Sequence, residues 1–245
     1  AKLFTYRFAE GKGLSGHSFG NLMLTALERI TGDFQSAINE AGRILAIDGR
    51  VLPVTLDRVM LCAELEDGAV IRGETDIDIP KHNPKLHITR AWLEPHGVVN
   101  AHAAQAIAEA ELIILGPGDI YTSILPNLLV HGVGEALKKT KAKVAYFVNL
   151  LTKRGETHGF RSSDFLRAIE SHVGPRVIDY VIANNRRPTP QRLTPYIKEG
   201  AEFVELDFPS TMKSPRLIVA DLLRERGYVR HDSVKVAQLV KRLLA

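Results

Sequence analysis

The chain has 245 residues, 45% hydrophobic and 24% charged, with a mean hydropathy of −0.04; this supplies a sizeable core and excludes disordered, collagenous and membrane classes. Lysine and arginine number 32 against 28 for aspartate and glutamate, and the resulting net charge of +4 is too small to point to nucleic acid. Cys62 is the single cysteine, so an intrachain disulfide and a thiolate-rich zinc site are both ruled out. With no apolar run near membrane-spanning length and no signal-peptide start, a soluble cytoplasmic protein is expected.

The chain opens on Ala1 rather than methionine, and Ala1 to Glu10 reads as the tail of a helix. From Phe19, the apolar residues Leu22, Met23, Ala26, Leu27 and Ile30 recur on one helical face. A second helix is announced by Asp33 as N-cap, carries Phe34, Ala37, Ile38, Ala41, Ile44 and Leu45, and stops near Gly49, so the two form a helical hairpin. Between Val59 and Ile77 the residues favour strands on both sides of Asp67-Gly68, which predicts a β-hairpin with a tight type I′ turn. Pro80 to Pro84 reads as a surface loop.

The second half repeats short apolar runs, Leu112 to Leu115, Val144 to Val148 and Val177 to Ala183, separated by helical segments. That rhythm predicts an α/β fold, a Rossmann-like three-layer sandwich around a mostly parallel sheet, with the hairpin as an excursion. Phe203 to Leu206 and Leu217 to Ala220 are candidate further strands, and an amphipathic helix starts at Ser233. No linker or change of composition interrupts the chain, so residues 1–245 read as a single domain.

Several motifs bear on chemistry. Gly11 to Gly16 matches G-x-G-x-x-G and Gly16-His17-Ser18-Phe19-Gly20 matches G-x-S-x-G, but each motif requires a buried strand just before it, and Ala1 to Glu10 does not read as one. The alternative is a glycine-rich entry to the helix at Phe19, capped by Ser15 or Ser18, whose free amides suit a phosphate. A serine hydrolase acting through Ser18 stands as one functional alternative.

A stronger signal is the buried strand Leu112 to Leu115 running into Gly116-Pro117-Gly118 and then Thr122 and Ser123. Glycines at 116 and 118 permit close approach of a ligand, and the two hydroxyls can donate to phosphate. Asp119 would repel an anion unless it points away or meets a ribose hydroxyl or a metal. Parallel sheets bind ligands beyond the carboxyl ends of their strands, where this sequence places Asn149 with Thr152, and Asn184 with Asn185. An amide offers a donor and an acceptor to a nucleobase edge or sugar hydroxyl. The basic segment Asn185 to Arg192 can clamp a phosphorylated ligand, although no aromatic interleaving supports nucleic acid there. The histidines show no zinc-binding pattern, so no metal site is expected.

Gly13 to Leu22, Val51-Leu52-Pro53, Gly116 to Asn127, Asn149-Leu150, Asp179 to Ile182, Tyr196 to Gly200 and Val229 to Asp232 together resemble the bacterial gluconeogenesis factor family, the YvcK-like branch of the CofD-like proteins. The resemblance implies one CofD-like domain lacking the family's opening strand and glycine-rich segment. It also implies a cytosolic, homodimeric protein that binds UDP-sugars, notably UDP-N-acetylglucosamine, and supports growth and cell-wall or cell-shape homeostasis on gluconeogenic carbon sources. No membrane or nucleic-acid partner is expected. The related 2-phospho-L-lactate transferases, which use magnesium in building a deazaflavin coenzyme, are the enzymatic alternative. Under the resemblance, Tyr196 stacks on the ligand and Arg230 holds its diphosphate. The full set of expected ligand-binding residues is Gly16, His17, Ser18, Asn21, Gly116, Gly118, Thr122, Ser123, Asn149, Asn184, Tyr196 and Arg230, and no catalytic residue is assigned.

Overall fold

A computed structural model describes residues 2–209 and 212–244. Backbone contacts group the chain into two compact units, one ending at Leu56 and one beginning at Asp57.

In the first unit, α1 (Phe19–Thr31) and α2 (Phe34–Ile44) form the expected helical hairpin around Leu27, Ala37 and Ala41, with Met23 and Leu24 packed alongside. Ser18 accepts the Asn21 amide at 3.1 Å and Asp33 accepts the Ser36 amide at 2.9 Å. Each satisfies an amide that has no partner inside the helix, a cap that stabilises by about 1 kcal/mol. The second helix ends at Ile44, short of Gly49, because Ala46 turns to a φ of 48°. The expected helix tail before residue 10 is corrected: Ala1 lies outside the described residues, and the segment from Lys2 onward forms turns instead. Arg7 bridges Ser18, the Phe8 amide reaches the His17 carbonyl at 3.0 Å, and the Gly16 amide returns to the Phe8 carbonyl at 2.8 Å. Gly20 is required here, since a Cβ on it would lie 2.7 Å from the Phe4 carbonyl oxygen.

The second unit opens with an antiparallel sheet of β1 (Met60–Leu65), β2 (Val70–Arg72) and β3 (Ile88–Glu94) in the order β2-β1-β3. The hairpin forms where the sequence predicts it, but with a different turn. The Leu65 amide closes the loop on the Ala69 carbonyl at 2.9 Å, and within that loop Gly68 alone takes a positive φ, +82°. A type I′ turn needs positive φ at both central residues; a three-residue loop asks it of glycine only and spares Asp67. The sequence reading assigns no element to Ile88–Glu94, which forms the third strand. Its register slips between Glu64 and Leu65, and the bulge blurs the two-residue alternation that marks a strand. The short α3 (Glu74–Asp78) and the loop from Pro80 separate β2 from β3.

The main sheet is parallel, with order β4-β5-β6-β7, from β4 (Leu112–Leu115), β5 (Lys143–Phe147), β6 (Tyr180–Asn184) and β7 (Arg216–Ala220). Helices alternate with these strands: α4 (Ala101–Glu109) precedes β4, α5 (Leu125–Leu128) and α6 (Val133–Lys139) follow it, α7 (Ser162–Val173) follows β5, and α8 (Pro190–Lys198) follows β6. Ala145, Phe147 and Ile182 face α9 (Ser233–Leu244), whose Val236, Leu239, Val240 and Leu243 cover them. Val144, Tyr146 and Val181 alternate to the opposite face and are buried as well. Burial on both faces explains why β5 and β6 read as continuous apolar runs. The α/β expectation therefore holds, with a four-stranded parallel sheet flanked by helices and a small antiparallel sheet beside it in sequence. Leu217 to Ala220 is a strand; Phe203 to Leu206 is not, and meets the chain after β5 through one antiparallel bridge between Phe203 and Leu151. Among the described residues no helix is long and apolar enough to cross a membrane.

Candidate ligand-binding site

The carboxyl ends of β4 and β5 open onto a cavity of about 510 Å³. Its walls come from three segments: Pro117, Gly118, Asp119 and Ser123 after β4, Asn149 to Leu151 after β5, and Val229, Arg230 and His231 before α9. Gly116 turns the chain out of β4 at a φ of +73°, and a Cβ there would press to 3.0 Å on Ile124. A π-helical turn, Ile120–Ile124, then leads into α5. A Cβ on Gly118 would meet Ser123 at 3.1 Å, so this glycine also lets the loop fold back on itself.

Asn149 fixes the floor. Its Nδ2 donates to the Gly118 carbonyl at 2.8 Å, locking the β4 loop to the end of β5. That bond settles which end of the amide is which and leaves Oδ1 buried with no partner among the described residues. His231 Nε2 is likewise buried without a partner, and burial lowers the imidazole's pKa to about 4, so the ring is neutral near pH 7. An unsatisfied buried polar atom costs about 1–3 kcal/mol. Both atoms belong to residues that line the cavity.

Arg230 is carried by a closed loop. The Arg224 amide bonds to the Arg230 carbonyl at 3.0 Å, and Leu223 bridges His231. Arg192 reaches from α8 and donates to the carbonyls of Gly227 at 3.2 Å, Glu225 at 3.2 Å and Tyr228 at 3.0 Å. The Tyr196 hydroxyl accepts the Val229 amide at 3.1 Å. The Arg230 guanidinium carbon sits 5.6 Å from the centre of the Tyr228 ring and lines both this cavity and a neighbouring one of about 400 Å³, which Tyr196 and Tyr228 also line.

Beside the cavity, the Lys153 ammonium joins Asp119 at 2.8 Å, Glu156 at 3.0 Å and Asp78 at a shorter contact. Glu156 is fully buried and also accepts from the Thr122 hydroxyl at 3.2 Å. Burial pushes Glu156 up to about 7, against the opposing charge of Lys153. Burial alone would lower the ammonium's pKa, but its carboxylate partners outweigh that and hold it above the ordinary lysine value.

The expected residues therefore fall into different places. Gly118, Ser123, Asn149 and Arg230 line one cavity. Thr122 is turned to Glu156, and Gly116 shapes the loop without lining the cavity. The amide of Asn184 is spent internally: Nδ2 donates to the Arg186 carbonyl at 2.7 Å and Oδ1 accepts the Leu222 amide at 3.1 Å. Tyr196 lies in the neighbouring cavity. Gly16, His17, Ser18 and Asn21 belong to the first unit, where Ser18 serves as a helix cap and no strand precedes it among the described residues, so neither glycine motif follows the strand it requires there. The basic segment is also largely committed, with Arg186 on Asp221 at 3.0 Å, Arg187 on Glu205 at 2.5 Å and Arg192 on backbone carbonyls. Sequence reasoning missed His231, which adjoins Arg230 in the chain, and Lys153, whose one local signal is Glu156 three residues on.

The family pattern described as 2-phospho-L-lactate transferase CofD matches residues 1–223. The chain belongs to the CofD family. Within it, the chain is 38% identical to the gluconeogenesis factor of Bacillus subtilis, covering 99% of this chain and 76% of that one, and 38% identical to that of Halalkalibacterium halodurans, covering 98% and 74%. A Thermotoga maritima relative is 42% identical over 99% of this chain and 77% of its own length, whereas the chain spans 53% of its Clostridium acetobutylicum relative. A solved structure from Bacillus halodurans, described as a member of the upf0052 family, superposes with a TM-score of 0.88 at 36% identity, covering 98% of this chain and 76% of that one. In this CofD-family chain the pattern stops before Arg230 and His231, while the full-length relatives extend across them.

Proposed function

We propose that the cavity at the ends of β4 and β5 binds a nucleotide-sugar of the UDP-N-acetylglucosamine type, and that the chain acts as a ligand-sensing gluconeogenesis factor supporting growth and cell-wall or cell-shape homeostasis on gluconeogenic carbon sources. The observation that carries this reading is the convergence of Gly118, Ser123, Asn149, Arg230 and His231 on one cavity, two of them, Asn149 and His231, carrying a buried polar atom without a partner among the described residues. Asn149 Oδ1 is an acceptor, suited to the imide of a uracil or a sugar hydroxyl. Arg230 supplies a planar, permanently charged donor set for a diphosphate. The names of the relatives, gluconeogenesis factors, support the gluconeogenic part of the reading.

The transferase alternative brings magnesium with it, and the fit of such an ion can be tested on the acidic residues. Asp78, Asp119 and Glu156 have metal-like spacing but already enclose Lys153. This donor set fits a magnesium ion poorly, which favours ligand binding over group transfer.

Isothermal calorimetry with UDP-N-acetylglucosamine tests the reading. The chain should give a saturable heat, and Arg230→Ala should weaken binding by at least tenfold, about 1.4 kcal/mol or more. Absence of heat with the chain, or equal affinity in Arg230→Ala, overturns it.

A further inference from the structure

The wall beside the cavity contains a cation of its own. Asp78 ends α3, Asp119 precedes the π-helical turn, and Glu156 lies in the turn that follows Lys153. One carboxylate oxygen from each lies within 4.8 Å of the other two, a spacing that brings all three within reach of a single ion. An ammonium has three protons to donate, and Lys153 directs its Nζ to three different carboxylates. The backbone enforces this placement. The Glu156 and Thr157 amides both return to the Lys153 carbonyl, at 3.2 and 2.8 Å, and the Lys153 amide donates to the Thr157 hydroxyl at 2.9 Å. A magnesium or manganese ion held by the same oxygens would have to sit about 2.1 Å from each, in the volume that Nζ fills.

We propose that Lys153 is a resident cation that takes the place of a divalent ion in this carboxylate cage, and so makes the adjoining cavity independent of added metal. Asp119 is the member that both binds Lys153 and lines the cavity. With its charge met from behind by a tethered ammonium, Asp119 can present an oxygen to a sugar or ribose hydroxyl without repelling the neighbouring phosphate as an isolated carboxylate would. A covalently tethered cation does not dissociate, so the cage stays filled at any metal concentration. The statement about the cage stands on the geometry alone; its consequence for ligand binding rests on the nucleotide-sugar reading.

Manganese titration of the whole chain, followed by electron paramagnetic resonance and by thermal melting, tests the cage. The wild-type chain should take up no stoichiometric ion there. Lys153→Ala should gain one manganese site at least tenfold tighter than any in the wild type and should melt at a higher temperature when manganese is added, and adding Asp78→Asn should remove that site. Stoichiometric manganese in the wild-type chain that is lost on Asp78→Asn overturns the proposal. So does a Lys153→Ala chain that neither binds manganese nor is stabilised by it, or one whose new site survives Asp78→Asn. In a separate arm, UDP-N-acetylglucosamine affinity should be the same in EDTA as in magnesium, and binding seen only with magnesium overturns the consequence for the cavity. No heat in either buffer counts against the nucleotide-sugar reading and leaves the manganese result to decide the cage.

Discussion

Asn149 and Asn184 stand at the carboxyl ends of adjacent parallel strands and look alike in sequence, yet the fold uses them oppositely. Asn184 spends both ends of its amide on the backbone, tying the end of β6 to Arg186 and Leu222. Asn149, which lines the cavity, spends only its donor, on Gly118, and keeps a buried acceptor without a partner among the described residues. Polar groups at strand ends thus divide into those that close the structure and those left for something else to close. The first kind should govern stability and the second affinity.

The sharpest test of this division is Glu156, a closing group whose folded pKa is raised to about 7 from an ordinary 4.5. Its contribution is complete below the unfolded value and is lost as pH rises through about 7, because the folded state then holds a proton that the unfolded state has already released. Urea unfolding of Glu156→Gln should remove this decline, so that between pH 5 and pH 8 the wild type loses on the order of 3 kcal/mol relative to the variant. A parallel pH dependence in both chains would show that Glu156 is ionised throughout.

His231 shifts the other way, from 6.5 to about 4. Its contribution is present above the unfolded value and lost as pH falls through about 4, so it opposes Glu156 where the two ranges overlap. The expected consequence is an affinity for UDP-N-acetylglucosamine that stays flat from about pH 5 to pH 8 as far as His231 is concerned, which calorimetry across that range checks.

Asn184→Ala should cost about 2 kcal/mol in urea unfolding, since it leaves the Leu222 amide and the Arg186 carbonyl without partners, with no change in affinity once the chain is folded. Asn149→Ala should cost about 1 kcal/mol of stability for one lost hydrogen bond but weaken UDP-N-acetylglucosamine by about tenfold. If the two variants moved stability and affinity in the same proportion, the division between closing and open groups would fail.

The sequence carries part of this plainly. α1, α9 and strands β4 to β7 follow from periodicity and β-branched runs, because each buries a face whose spacing is local. β3 escapes notice because a bulge at its own Thr89 interrupts the alternation of buried and exposed residues. The loop at Gly116 and the binding potential of Gly118, Ser123, Asn149 and Arg230 are legible as strand-end chemistry. What distinguishes Asn149 from Asn184 is not, since both answers depend on backbone groups brought in from elsewhere in the chain. The Lys153 cage is less legible still: Asp78 and Asp119 are 75 and 34 residues away in sequence, and no local pattern announces that one ammonium will hold them both.

The hydroxyl of Tyr196 has a use for the experimenter. The Val229 amide is bonded to that side-chain oxygen rather than to a neighbouring strand or helical turn. Its hydrogen-exchange rate therefore reports opening of the loop that carries Arg230, separately from fraying of the sheet. A single amide thus offers a clock for how often the two cavities lose their shared arginine, and for whether a bound ligand slows that motion.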